Sequence, residues 1–231
     1  MTPRWTTPDT ACGHRGCWDG WPEPWTTWAN LVTGVRTVAA VALAIAAVAT
    51  SRLDLLLVSL AVYWVGDVVD GQVARRLRQE TRRGALLDVL TDRVCSVAFW
   101  VPWALWHPDV MWPVALYLLE FAVVDTVLSI AWLGFPLTSC NYVERVDRAV
   151  YRWNWWAPAK AVNTAGLVVL VVVWPQPLLA SAFVLAVLAV KVASLRLLVR
   201  RLPGPGPGCA AASRHPEPSV LHSETPSGVR T

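Results

Sequence analysis

The sequence predicts an all-α membrane protein, six transmembrane helices preceded by an interfacial amphipathic helix, and three observations carry that prediction. The chain is 55% hydrophobic with a mean hydropathy of +0.43 over 231 residues, more apolar than the roughly 45–50% of an ordinary soluble domain. Apolar stretches of about 20 residues, the length that crosses a bilayer as a helix, can be placed six times. Arginines gather in alternate loops between those stretches, the asymmetry that orients membrane helices.

Taken in order, the chain opens with a polar, tryptophan-rich segment over 1–24 that reads as a flexible cytoplasmic tail. Pro24 suits a first helical turn, after which Trp25, Trp28, Val32 and Val35 line one side of an amphipathic segment lying at the interface. Spans follow near 33–51, 54–74, 84–106, 110–134, 156–174 and 178–199. None reads as a cleavable signal peptide, because the first begins after some thirty polar and aromatic residues. The stretch 202–231 opens Pro-Gly-Pro-Gly-Pro-Gly, is rich in serine and proline, and reads as disordered. One membrane domain, 25–201, therefore lies between two flexible ends, with no internal repeat.

The loop after the second span holds Arg75, Arg76, Arg78, Arg82 and Arg83, and that after the fourth holds Arg145, Arg148 and Arg152. Arg196, Arg200 and Arg201 end the sixth span, whereas the opposite turns contain only Arg52. Both termini are therefore expected on the cytoplasmic side of a multi-pass protein of the cell membrane. These loops account for much of the formal net charge of +4 and the pI near 9.0. Membrane topology thus explains the basic balance, and no nucleic-acid motif is present. Many of the 15 tryptophans fall where spans should meet headgroups, Trp103, Trp106 and Trp112 on the outer side and Trp153, Trp155 and Trp156 on the inner, which predicts an aromatic belt. Five cysteines, an odd number, are expected as free thiols. Cys12 and Cys17, with His14 between them, lack the second cysteine pair of a zinc site.

The chemistry is concentrated between the second and third spans. Asp67, Asp70, Gly71, Ala74 and Arg75 fall within roughly 140° of arc on a helix. Gly84, Asp88 and Asp92 stack at i, i+4 and i+8 on the next one. Four aspartates crowded between packed helices repel one another and are costly to desolvate unless about two divalent cations neutralise them. Oxygen-only ligands favour a hard ion, Mg2+ or Mn2+. The small residues leave room for a bulky group against the backbone, and Arg75 offers a planar fork for phosphate oxygens. Metals, slot and clamp together point to phosphoryl transfer. The bland alternative, a solvated acidic loop, gives no reason for acids to share one face on each of two consecutive helices.

The spacing DxxDGxxAR, eight residues, then GxxxDxxxD, is similar to the signature of the CDP-alcohol phosphatidyltransferases, and every fixed position of it is present over residues 67–92. The resemblance implies a membrane-embedded enzyme of phospholipid synthesis that takes CDP-diacylglycerol or a related CDP-alcohol, transfers the phosphatidyl group to an acceptor alcohol and releases CMP. It implies metal ions held among Asp67, Asp70, Asp88 and Asp92, with Asp92 as general base, and a cytidine diphosphate resting against Gly71, Ala74, Arg75 and Gly84. Asn30, Thr33 and Arg36 resemble the family's NxxTxxR opening at the nucleotide end, so Thr33 and Arg36 join the donor site. Family members are often homodimers.

The acceptor is the open term. Phosphatidylglycerophosphate-, cardiolipin- and phosphatidylinositol-phosphate-synthase types all share this signature, and the cations that bind an anionic acceptor are missing from the fourth span, which reads Leu118-Leu119-Glu120-Phe121-Ala122-Val123-Val124-Asp125. Lys160 and Asn163 on the fifth span, and Glu120 and Asp125 on the fourth, are the candidate acceptor contacts, with a structural ion pair between these acids and Lys160 or Arg93 as the alternative. A metal or proton transporter would also bury acids, but would show broken helices at midplane and paired repeats. A scaffold protein would explain the hydropathy and not the motif.

Overall fold

The structure is a computed structural model that describes residues 16–18 and 23–202. The expected flexible tails, 1–24 and 202–231, lie outside the described residues apart from a few positions at their inner edges, as do Cys12 and His14. Among the described residues every secondary-structure element is a helix, without a strand; Cys17 and Leu137 form an isolated bridge.

The first three helices carry the site. α1 (Trp28–Thr50) starts where the Thr27 hydroxyl accepts the Asn30 amide at 3.0 Å, and ends at Ser51 in the left-handed region. Two residues later α2 (Leu53–Arg76) returns antiparallel along it. α3 (Arg82–Trp106) is capped by Thr81, whose hydroxyl accepts the Gly84 amide at 3.0 Å. Small residues let these helices approach closely. Ala40, Ala44 and Ala47 of α1 are buried against Leu56, Leu60 and Tyr63 of α2 and Cys95, Phe99 and Trp103 of α3. The Ser59 hydroxyl, buried in this seam, donates to the Ala40 carbonyl at 2.8 Å.

The remaining helices pack beside this trio. α4 (Met111–Leu119) continues through a π-helical turn, Glu120–Asp125, into α5 (Thr126–Ile130). A loop containing Cys140–Arg145 leads to α6 (Arg148–Asn154), which Asp147 caps by accepting the Ala149 and Val150 amides at 2.9 and 3.0 Å. α7 (Ala157–Val168) and α8 (Pro177–Arg200) each carry proline in the first turn, where the missing N–H removes no helical bond. A second apolar cluster, built on Leu128, Trp132, Leu137, Val143, Val150 and Leu198, packs the loop against α5, α6 and α8.

Four helical segments are long and apolar enough to cross a membrane: Trp28–Thr50, Pro108–Gly134, Arg148–Val173 and Pro177–Arg200. They correspond to the first, fourth, fifth and sixth expected spans. α2 and α3 match the expected second and third spans in place, with 24 and 25 residues, but their facing ends carry Asp67, Asp70, Arg75, Arg76, Arg82, Arg83, Asp88, Asp92 and Arg93. That charge is the physical difference between them and the other four.

Two expectations change. The interfacial helix is not a separate element: the segment expected to lie flat forms the first turns of α1, because the helix runs unbroken from Trp28. Its apolar residues Trp28, Leu31, Val35 and Val38 are exposed, and Thr33, Arg36 and Ala40 point inward. The aromatic belt also divides. Trp112, Trp153 and Trp156 are exposed, whereas Trp103 and Trp155 are core residues, at 4% and 7% exposure. Trp103 stacks on His107 at 4.3 Å and on Phe99 at 5.8 Å, so it serves packing rather than the headgroup boundary.

Candidate active site

Three helices deliver the acidic motif to one point. The C-terminal turns of α2 present Asp67 and Asp70, the first turns of α3 present Asp88 and Asp92, and the first turns of α1 place Thr33 and Arg36 between them. Carboxylate oxygens of Asp67, Asp70 and Asp88 lie within 4.8 Å of one another. The donors are all hard oxygens, so the set fits a hard divalent cation such as Mg2+ or Mn2+. The side chains of Asp67 and Asp88 are 42% and 39% exposed and Asp70 is 5% exposed, so the seat opens to one side and is closed behind.

Arg36, expected at the nucleotide end of the donor site, has its guanidinium inside the carboxylate cluster. Nη2 donates to Asp88 Oδ1 at 2.6 Å and to Asp92 Oδ1 at 2.9 Å, and stands 3.7 Å from Asp67 Oδ1. Nε is 2.7 Å from Asp70 Oδ2. The Thr33 hydroxyl donates to the same Asp70 oxygen at 2.8 Å. Asp92 is thus turned toward Arg36, through the same nitrogen that meets Asp88.

A cleft of about 600 Å³, counting its open mouth, lies beside the acids. Thr33, Asp70, Gly71, Ala74, Arg75, Gly84 and Asp88 line it together, so the expected donor residues converge on one space, Arg36 excepted. The glycines have geometric reasons. A Cβ on Gly84 would meet Asn30 Oδ1 at 2.7 Å and Thr81 Oγ1 at 2.9 Å, and one on Gly71 would crowd the Arg75 guanidinium at 3.2 Å. Ser139, Cys140 and Asn141 form a wall that no motif announced, supplied by the loop before α6. Burial pushes the Cys140 thiol up to about 11, and Cys95 and Cys140 are free thiols.

The acceptor candidates separate. Lys160 is exposed on α7 and interacts electrostatically with Asp67, Asp88 and Asp92 without closing to ion-pair distance. Asn163 is half-buried nearly one turn further along. Glu120 and Asp125 are committed to an interior network. Lys191 Nζ of α8 lies 2.9 Å from Glu120 Oε1 and 2.7 Å from Asp125 Oδ1. Arg93 pairs with Asp125 and donates to Thr126 Oγ1 at 2.9 Å. Two cations and two anions close the set, around a Phe121 ring with Arg93 Cζ at 3.8 Å. The structural pairing foreseen with Arg93 is present, whereas Lys191 replaces Lys160 as the second partner. Lys191 escaped the sequence reading, although a lone lysine deep in an apolar span demands an anionic partner. Gly66 escaped it too: a Cβ there would lie 2.6 Å from both Cβ and Cδ of Arg36, so Gly66 makes the channel for that side chain.

An all-helical protein with apolar helices and a carboxylate-lined, glycine-walled cleft at one end is the class this geometry defines. The family model for CDP-alcohol phosphatidyltransferase matches residues 26–195, and the chain belongs to that family. It is similar to a phosphatidylinositol phosphate synthase of Streptomyces avermitilis, 33% identical over 91 residues, which cover 36% of this chain and 37% of that protein. It is also similar to a CDP-diacylglycerol–inositol 3-phosphatidyltransferase of Drosophila melanogaster, 49% identical over 45 residues, 20% of each chain. The chain spans little more than a third of the first relative and a fifth of the second. No solved structure matches.

Proposed function

We propose that the chain transfers a phosphatidyl group from CDP-diacylglycerol, or a related CDP-alcohol, to an acceptor alcohol and releases CMP. The observation that carries this is the grouping of Asp67, Asp70 and Asp88 oxygens within 4.8 Å of one another, with Asp70 and Asp88 lining the cleft walled by Gly71, Ala74, Arg75 and Gly84. In this reading six helices span the cell membrane with the cleft on the cytoplasmic side, where the arginine-rich loops lie. Divalent cations held by the aspartates would supply charge neutralisation to a bound diphosphate.

The chain's own residues do the rest. Arg75 holds phosphate oxygens in a bidentate fork, over a Gly71 that leaves it room. Asp92 takes the proton from the acceptor hydroxyl; that oxygen attacks the phosphorus nearer the lipid glycerol, the bond to the CMP phosphate breaks, and CMP leaves with the electron pair. Positioning and charge neutralisation suffice for such a transfer, so no nucleophilic side chain is required. The relatives' names favour an inositol-class acceptor, and in this reading Lys160, exposed on α7, meets a phosphate on it. A homodimer packed through membrane helices accords with the family.

The test is CMP release by purified protein with CDP-diacylglycerol, Mg2+ or Mn2+, and glycerol 3-phosphate, inositol 1-phosphate, inositol, serine or phosphatidylglycerol. Release with an inositol-class acceptor, abolished in Asp92→Asn, is the expected result. Silence with every acceptor in folded protein would count against the proposal, and failure to bind CMP as well would end it.

A further inference from the structure

We infer that Arg36 is the resident counter-ion of the carboxylate cluster, a tethered cation that holds one of two cation positions until a divalent ion displaces it. The inference rests on the reading of the acids as a metal site and concerns the order in which the chain admits cations. A single nitrogen, Nη2, faces carboxylates of Asp67, Asp88 and Asp92 at 3.7, 2.6 and 2.9 Å, the place of an ion shared by those three groups. Asp67, Asp70 and Asp88 still offer oxygens within 4.8 Å of one another. Nε also meets Asp70 Oδ2 at 2.7 Å, so the guanidinium borders the seat formed by these three acids, while Nη2 occupies the one that would enlist Asp92.

The arrangement is built rather than incidental. Arg36 is 4% exposed, its stem fills the channel that Gly66 leaves, and its Cζ lies 5.7 Å from the Tyr63 ring centroid. Nη1 is buried without a hydrogen-bond partner, so charge rather than complete hydrogen bonding holds the guanidinium, and release of Asp88 and Asp92 breaks only two hydrogen bonds. Charge arithmetic gives the consequence. Four carboxylates and Arg36 sum to −3; a first divalent ion brings the cluster to −1, and a second to +1 unless the guanidinium withdraws. The first ion enters a strongly negative seat and the second must displace a cation, which separates their affinities. Without metal, Arg36 keeps the buried acids from repelling one another.

Mn2+ titration of the full chain in detergent, without nucleotide, read by electron paramagnetic resonance of free Mn2+ and by calorimetry, tests this. The wild type should bind one ion per chain and a second at least about tenfold more weakly. Arg36→Gln should tighten the second ion by at least about tenfold, and Arg36→Lys, which keeps the cation, should preserve the inequality. In chelator the melting temperature of Arg36→Gln should fall about 5 °C or more below wild type and recover with Mn2+; a variant recovered only in Mn2+ supports the inference equally. Two equal sites in the wild type, or an unchanged second site in Arg36→Gln, overturns it while leaving the metal reading intact. Should Arg36→Gln not fold under any condition, the wild-type and Arg36→Lys isotherms decide by the same criterion. No Mn2+ binding by folded wild type overturns both.

Discussion

Removal of Lys191 should destabilise the protein more than any other single charge deletion outside the active site. Lys191 is 4% exposed and bridges Glu120, 1% exposed, to Asp125 at 2.9 and 2.7 Å. With Lys191→Met the network changes from two cations and two anions to one cation and two anions, leaving Glu120 charged in an apolar interior. Breaking a buried pair in this way costs about 3–5 kcal/mol, and a chain of this size loses about 2–4 °C per kcal/mol, so the melting temperature should drop by roughly 6–20 °C. Adding Glu120→Gln restores neutrality, with Arg93 and Asp125 still paired, and should recover more than half of the loss. Thermal unfolding in detergent, followed by size-exclusion recovery beside CMP release, reads both effects. A single variant within about 2 °C of wild type, or a double variant no better than the single, would refute the argument. Lost CMP release at unchanged melting temperature would instead make Glu120 and Asp125 acceptor contacts.

Other perturbations follow from local geometry. Gly66→Ala places a methyl 2.6 Å from Arg36 Cβ and Cδ, an overpacking cost of about 1–3 kcal/mol. Gly34→Ala has nothing within 4 Å and should be neutral or stabilising by up to about 1 kcal/mol in the same melting assay. Asp147→Ala removes the acceptor for two α6 amides and the partner of Arg201 at 3.0 Å, and should cost about 1–2 kcal/mol. Since burial raises the Cys140 thiol to about 11, its thiolate is scarce at neutral pH. Maleimide labelling of Cys140, read by mass spectrometry, should accelerate about tenfold per pH unit below that value, and CMP with Mg2+ should slow it because the residue lines the cleft.

Much of the site was legible in one dimension because helix periodicity converts spacing into a face. Asp67, Asp70, Gly71, Ala74 and Arg75 needed only 3.6 residues per turn to be grouped; the last four do share one cleft with Gly84 and Asp88, and Asp67 meets Asp70 and Asp88 at the acid cluster. The apolar runs likewise located the helices, since bilayer thickness dictates their length and backbone hydrogen bonding requires them to be helical.

Partnership between distant helices was not legible. Glu120 and Asp125 were visible as acids in an apolar span, but that Lys191, some 66 residues further along, would neutralise both depends on how α8 packs against the π-helical turn. Trp103 and Trp155 stood at plausible headgroup positions, and only the rotation of their helices buried them. Arg36 shows the division most sharply. Its sequence context placed it at the donor site in general, whereas three-helix packing and the channel at Gly66 aim its guanidinium into the carboxylates. The sequence by itself determined which residues share a helix face, because that is a property of one helix. Tertiary structure decided which faces meet and which charges cancel, because that depends on interhelical rotation and side-chain reach, which no single helix encodes.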